Sequence, residues 1–151
     1  MVSPLGIQAM DEPRSAPSRY SAVWGMAGIS IADARGAVRT LLARAGHHPD
    51  QQSNQDAQLV VSELVTNALR HAPGPGALLL ELSADAARLT IAVRDGSSDQ
   101  PLLREPDPRR AGGHGLHLVT RLCEQVRTVP SGEGKRIVAE LLLDSGAEPG
   151  G

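Results

Sequence analysis

Apolar side chains recur with a helical period between residues 54 and 72. On a helix of about 3.6 residues per turn they form one continuous stripe, made of Ala57, Val60, Val61, Leu64, Val65, Ala68 and Ala72. Pro73 and Gly74 follow directly and mark a sharp end to the segment. The pattern predicts a long amphipathic helix that packs against a core with this stripe.

The rest of the chain contains two further helical patterns and several alternating ones. Helices are expected over residues 32–45 and 116–123, and strands over 20–29, 78–82, 88–94, 126–129 and 136–143. Leu78, Leu80 and Leu82 place alternate apolar side chains on one face of a strand, which is typical of a half-buried sheet. The links over residues 84–87 and 130–134 are short, so each should close an antiparallel hairpin.

This order of elements lacks the regular strand–helix–strand alternation of a parallel sheet. It predicts an α+β fold, a two-layer sandwich in which helices cover one face of a mixed or antiparallel sheet. Residues 1–19 and 145–151 are rich in Pro, Gly, Ser and charge, so they are expected to be disordered tails. Residues 20–144 would form one domain.

Composition limits the classes of function. The formal net charge is −2, so nothing favours direct binding to nucleic acid. Phe is absent and Trp24 and Tyr20 are the only aromatic residues, so the core must be aliphatic. Cys123 is the single cysteine, which excludes an intrachain disulfide. The sequence shows neither a membrane-spanning run nor a secretion signal, and we expect a cytoplasmic protein.

Polar side chains follow the border of the apolar stripe. Glu63 and Asn67 are four residues apart and lie on neighbouring helical turns, and His71 continues the line. A carboxylate and a carboxamide at a half-buried border need partners, because burial without a hydrogen bond is costly. A ligand or metal ion would supply them, whereas an ordinary solvated helix edge would also explain these residues.

Two glycine-containing motifs carry the remaining candidate chemistry. Asp95-Gly96 directly follows a predicted strand, where a carboxylate can accept a hydrogen bond from an exocyclic amine and a glycine admits a ligand close to the backbone. The run from Gly112 to Leu116 opens a predicted helix, whose free N–H groups can bind phosphate. A simple turn and a flexible joint are the alternatives. The intervening segment has the length of a functional or disordered loop.

In this order, the motifs resemble the ATP-binding family that includes histidine-kinase catalytic domains, gyrase and Hsp90. The resemblance covers residues 22–143 and is most specific over SELVTNALRHA, residues 62–72. It is closest to the small anti-sigma-factor serine/threonine kinases of bacteria, particularly the short ATP-binding proteins of actinomycetes. It implies the Bergerat ATP-binding fold, with ATP and Mg²⁺ as cofactors.

The resemblance also implies roles for matching residues. Asn67 would bind a Mg²⁺ ion that bridges the ATP phosphates, and Glu63 would be the general base toward an incoming hydroxyl. Asp95 would bind the adenine amino group, and residues 97–111 would form a lid over ATP. Further residues expected at the nucleotide site are His71, Gly96, Ser97, Gly113, His114, Gly115 and Leu116.

Two hypotheses about function follow from the resemblance. In the first, the chain is a serine/threonine kinase that phosphorylates an anti-anti-sigma partner of the STAS type and regulates a sigma factor. In the second, it is an ATP- or ADP-binding module that sequesters a partner without phosphoryl transfer. Either would act on protein partners. The resemblance also implies that such a kinase is a dimer when it binds a sigma factor, so a homodimer is a further expectation.

Overall fold

A computed structural model describes residues 18–72, 74–95, 111–131 and 134–143, with only the backbone for residues 111–115 and 131. Eight elements follow one another along these residues. They are β1 (Ser18–Trp24), α1 (Ile31–Arg44), α2 (Gln52–His71), β2 (Gly76–Leu82), β3 (Arg88–Asp95), α3 (Ala111–Leu122), β4 (Gln125–Ser131) and β5 (Gly134–Leu142).

The five strands form one sheet in the order β1-β2-β3-β5-β4, and every neighbouring pair is antiparallel. Both expected hairpins are present, β2–β3 and β4–β5. The helix α2 packs against α1, α3 and the central strand β3. The α+β sandwich expected from the sequence is therefore confirmed, and its described sheet is antiparallel throughout.

The core lies between α2 and the sheet and is almost entirely aliphatic. Every residue of the predicted apolar stripe on α2 is buried. The sheet contributes alternate residues of its strands, such as Leu78 and Leu80 from β2 and Ile91 from β3. Alternation fixes the faces, because successive side chains of a strand point to opposite sides of the sheet. Consequently, any residue in phase with these leucines faces the helices.

The first strand differs from its expected bounds at both ends. It ends at Trp24 and not near residue 29, because the chain turns at Gly25, whose carbonyl accepts a hydrogen bond from the N–H of Gly28. Gly28 has a φ of 82°, a conformation that favours glycine. The strand also begins at Ser18, and Arg19 pairs with Glu81 on β2, so the folded domain includes two residues assigned above to the tail.

A series of buried side-chain hydrogen bonds runs along the first half of α2. The side chain of Asn54 donates to the carbonyl of His47 at 2.8 Å, and Gln58 donates to Asn54 at 2.8 Å. Ser62 donates to the carbonyl of Gln58, one turn earlier. The Asn54 bond holds α2 to the loop that precedes it, and the apolar period gave no sign of these bonds because it identifies only the apolar face of the helix.

Gly76 occupies a position with no room for a side chain. A Cβ atom there would lie 2.5 Å from the Trp24 ring and 2.7 Å from the carbonyl oxygen of Arg94. We expect Gly76→Ala to lower the free energy of unfolding by about 1–3 kcal/mol, as overpacking typically does. Urea denaturation followed by circular dichroism would measure the loss. Gly25→Ala is the matched control, because its Cβ would meet no atom within 4 Å; equal stability losses would contradict this account.

Candidate functional site

The polar border of α2 is partly buried, as the sequence indicated. Asn67 is only 8% exposed, and Glu63 is half-buried. Among the described residues, the structure gives neither the Asn67 carboxamide nor the Glu63 carboxylate a hydrogen-bond or ion-pair partner. A buried carboxamide without a protein partner is unfavourable unless a ligand, ion or water meets it. Asn67 therefore lies in a largely buried position from which a ligand, an ion or water can still reach its carboxamide.

Asp95 is the last residue of β3 and lies on the helix-facing side of the sheet. Leu89, Ile91 and Val93 precede it at alternate positions and belong to the core, so Asp95 continues the same face. The residue is 4% exposed. A carboxylate this deeply buried requires a strong partner.

Lys135 is such a partner, and sequence reasoning missed it. It stands directly opposite Asp95 in the β3–β5 pairing, and its Nζ donates to Oδ2 of Asp95 at 2.5 Å. The lysine side chain is 14% exposed and the aspartate side chain 5%. One signal was present, because Lys135 is the only lysine of the chain.

Four residues in register form a row across the end of the sheet next to α2. Trp24 pairs with Gly76, Gly76 with Asp95, and Asp95 with Lys135, one residue from each of four strands. The indole of Trp24 lies over Gly76, where it takes the space that a side chain would fill. The row thus places a flat apolar surface near an acceptor and a cation.

The chain connection brings the polar end of α2 close to this row. α2 ends at His71 and β2 begins at Gly76, so an extended chain spans no more than about 18 Å between them. His71 itself is exposed and lies in the last turn of α2. Because Gly76 pairs with Asp95, this short link places the end of α2, with Asn67 one turn before it, toward the end of the sandwich that holds the row with Asp95.

The glycine-rich motif lies within α3 and not before it. The helix begins at Ala111 instead of residue 116, which places Gly113 and His114 in its first turn and Gly115 and Leu116 in its second. Only about the first four N–H groups of a helix lack an intrahelical acceptor. Leu116 is partly buried and packs against the core. The phosphate-binding roles of these residues stay predictions.

Other predicted site residues lie outside the described part of the chain. These are Gly96 and Ser97, together with nearly all of the lid expected over residues 97–111. Cys123, by contrast, has a clear environment: burial, reinforced by the charge of Asp56, raises the pKa of its thiol to about 12. A thiol that stays protonated at neutral pH is a poor nucleophile, so Cys123 is a packing residue.

Comparison with known proteins assigns the chain to a family. Residues 28–140 match the model of the histidine kinase-like ATPase domain, a span well over half of the chain. The chain belongs to the histidine kinase-like ATPase domain family. This family assignment accounts for the class of fold and implies that the domain binds ATP. Among curated proteins, no sequence matches the chain significantly.

Two solved structures are similar to it. One is the crystal structure of the RsbU and RsbW domains of Rv1364c from Mycobacterium tuberculosis, with a TM-score of 0.57 and 20% sequence identity. The match covers 85% of this chain. The chain spans about a third of that longer protein, 32%. The histidine kinase domain of the blue-light activated histidine kinase EL346 from Erythrobacter litoralis has a TM-score of 0.48 at 18% identity, over 78% of this chain and 63% of its own.

None of the described helices combines the length and the apolar composition that a bilayer span requires.

Proposed function

We propose that the chain is a Mg²⁺-ATP-dependent serine/threonine protein kinase of the anti-sigma-factor type, which phosphorylates a STAS-type anti-anti-sigma protein and regulates a sigma factor. The family assignment supports the ATP-binding part of this proposal. The likeness of fold to a chain with RsbW and RsbU domains supports the regulatory part, since the resemblance noted in the sequence points to the same class. The kinase chemistry rests on named side chains.

The observation that carries the proposal is the pairing of two half-sites at one end of the sandwich. Asp95, at the end of β3, provides a buried acceptor suited to a base, and the α2 edge provides Asn67 and Glu63 about one helical turn apart. A nucleoside triphosphate has the same division into a base and a charged phosphate tail. The two half-sites therefore suit the two ends of one ligand.

The surroundings of Asn67 fit the proposed ion. Mg²⁺ prefers oxygen ligands, keeps several waters and is often bound by few protein groups together with substrate phosphates. The buried Asn67 carboxamide offers one such oxygen and has no competing partner among the described residues. When bound, the ion would neutralise charge on the ATP phosphates.

Glu63 is proposed as the general base. Its carboxylate would take the proton from the hydroxyl of the acceptor serine or threonine as the hydroxyl oxygen bonds to the γ-phosphorus. The bond from that phosphorus to the bridging oxygen then breaks and ADP leaves. Phosphoryl transfer needs mainly positioning and charge neutralisation from the protein, so a single well-placed carboxylate is enough to serve as the general base.

Asp95 should make the site prefer adenine. Its carboxylate accepts from the 6-amino group of adenine and repels the 6-oxo group of guanine. We expect wild-type protein to bind ATP more tightly than GTP by roughly 10-fold or more, and Asp95→Asn to erode this preference. Calorimetric titration of both nucleotides against both proteins measures it. Equal affinities for ATP and GTP in the wild type would remove the assignment.

A transfer assay tests the proposed activity. The protein is incubated with γ-labelled ATP, Mg²⁺ and a STAS protein encoded near it, with a Ser/Thr-to-Ala version of that partner as the control. Label on the intact partner and none on the control supports the kinase. ATP binding together with capture of a sigma factor, but without transfer to any partner, supports the alternative of a nucleotide-binding module.

A further inference from the structure

We propose that Lys135 is a specificity-determining residue of the nucleotide site, which donates a hydrogen bond to N1 of adenine beside the contact of Asp95 with the 6-amino group. The inference rests on the proposed ATP site. In this proposal, a carboxylate–ammonium pair recognises the base, and not an isolated aspartate.

The placement of Lys135 is unusual for a lysine. In β5 it is in phase with Ile137, Ala139 and Leu141, so it lies on the core-facing side of the sheet. A lysine so near the start of a strand could extend its charge into solvent. Its side chain instead stays 14% exposed and bonds to Oδ2 of Asp95.

The residue type also distinguishes this position. All other cationic side chains outside the histidines are arginines, and the chain's one lysine is the cation beside Asp95. An ammonium is a compact group with three donors, whereas a guanidinium is a planar fork that would cover both oxygens of a carboxylate. A lysine can therefore bind Asp95 and still direct a donor toward a third group.

The pair matches one edge of adenine in both hydrogen-bonding properties. The 6-amino group donates and the adjacent N1 accepts, while Asp95 accepts and the adjacent Lys135 donates. Guanine in the same pose would set its 6-oxo group against the carboxylate and its N1–H against the ammonium. Both contacts would then be repulsive, so Lys135 adds to the adenine preference expected from Asp95.

A purely structural role is the competing explanation. Lys135 compensates the charge of a buried carboxylate, and removal of one partner from such a pair is destabilising in itself. That role predicts that loss of Lys135 weakens the binding of all adenine nucleotides by the same factor. Base recognition predicts instead that the loss depends on whether the base carries N1.

Nucleotide analogues separate the two explanations in wild-type protein. We expect 1-deaza-ATP, which lacks the N1 acceptor, to bind roughly 10- to 100-fold more weakly than ATP, the range for a hydrogen bond to a charged donor. The control ligand 7-deaza-ATP keeps N1 and should bind within a few-fold of ATP. Equal binding of ATP and 1-deaza-ATP would overturn the proposal and leave the proposed function standing, whereas no binding of any of the three overturns both.

Two variants then assign the donor to Lys135. Lys135→Met should lose the difference between ATP and 1-deaza-ATP, and Lys135→Arg should retain part of it. An undiminished difference in Lys135→Met would show that another group donates to N1 and would overturn the proposal. If Lys135→Met fails to fold, amine acetylation of the wild type replaces it, because peptide mass spectrometry can follow the single lysine: ATP should protect Lys135 more than 1-deaza-ATP does, and equal protection would contradict the inference.

Discussion

Glu63→Gln is expected to lower the rate of phosphoryl transfer to a STAS partner by about 10²–10⁴, the usual cost of losing a positioned general base. ATP affinity should change little, because glutamine keeps the size of the side chain and the proposed role of Glu63 begins only when the acceptor hydroxyl loses its proton. Single-turnover transfer of labelled phosphate and a calorimetric titration with Mg²⁺-ATP measure the two quantities separately.

The control for this variant is Glu81→Gln. Glu81 is a carboxylate on the opposite face of the sheet, where it pairs with the exposed side chain of Arg19. Its loss should leave both transfer and binding at wild-type values. If Glu63→Gln transfers phosphate as fast as the wild type, Glu63 is not the base; if it loses ATP binding as well, Glu63 has a role in the ground-state complex that this account does not give it.

Asn67→Ala should weaken the binding of ATP in the presence of Mg²⁺ by roughly 10- to 100-fold, the range for one contact to a charged group. The physical reason is the loss of the oxygen proposed to bind the ion. The decisive quantity is the ratio of ATP affinities with Mg²⁺ and with a chelator, which should fall toward one in the variant.

The matched control is Asn54→Ala on the same helix. Asn54 is also buried, but its carboxamide bonds to the carbonyl of His47 and to the side chain of Gln58. Its loss should lower the free energy of unfolding and leave the Mg²⁺ dependence of ATP binding intact. A Mg²⁺ dependence in Asn67→Ala equal to that of the wild type would rule out the metal-binding role.

Regular periodicity made much of the fold predictable. The helical period between residues 54 and 72 identified α2 within two residues at each end, and the alternation of Leu78, Leu80 and Leu82 identified the buried face of β2. These signals are strong because one face of each element is apolar and the other polar. The order of elements then selected the α+β sandwich.

Features that depend on backbone turns and tertiary pairing were harder to predict from the sequence. The end of β1 at Trp24 follows from a turn at Gly25, and a strand pattern alone does not reveal it. Because α3 starts at Ala111, its first turns contain several glycines, and a glycine-rich segment is more typical of a loop than of a helix. Neither boundary is visible in the spacing of apolar residues.

Some residues of the candidate site could be predicted from the sequence, and others could not. Asn67 and Asp95 could be chosen from sequence, because each is a polar residue at the border of a clear apolar pattern. Lys135 could not, because its importance lies in its register opposite Asp95, forty residues earlier in the chain. Only the pairing of β3 with β5 brings the two charges together.

One end of the sandwich is expected to bind Mg²⁺-ATP between the α2 edge and the end of the sheet. Chemical-shift mapping of backbone amides is the most direct test, and a chain of 15.8 kDa suits it. Titration with Mg²⁺-ATP should shift the amides around Asn67, Asp95 and Lys135 most. The largest shifts at the other end of the sheet, around Leu82 and Arg88, or none at all, would contradict the claim.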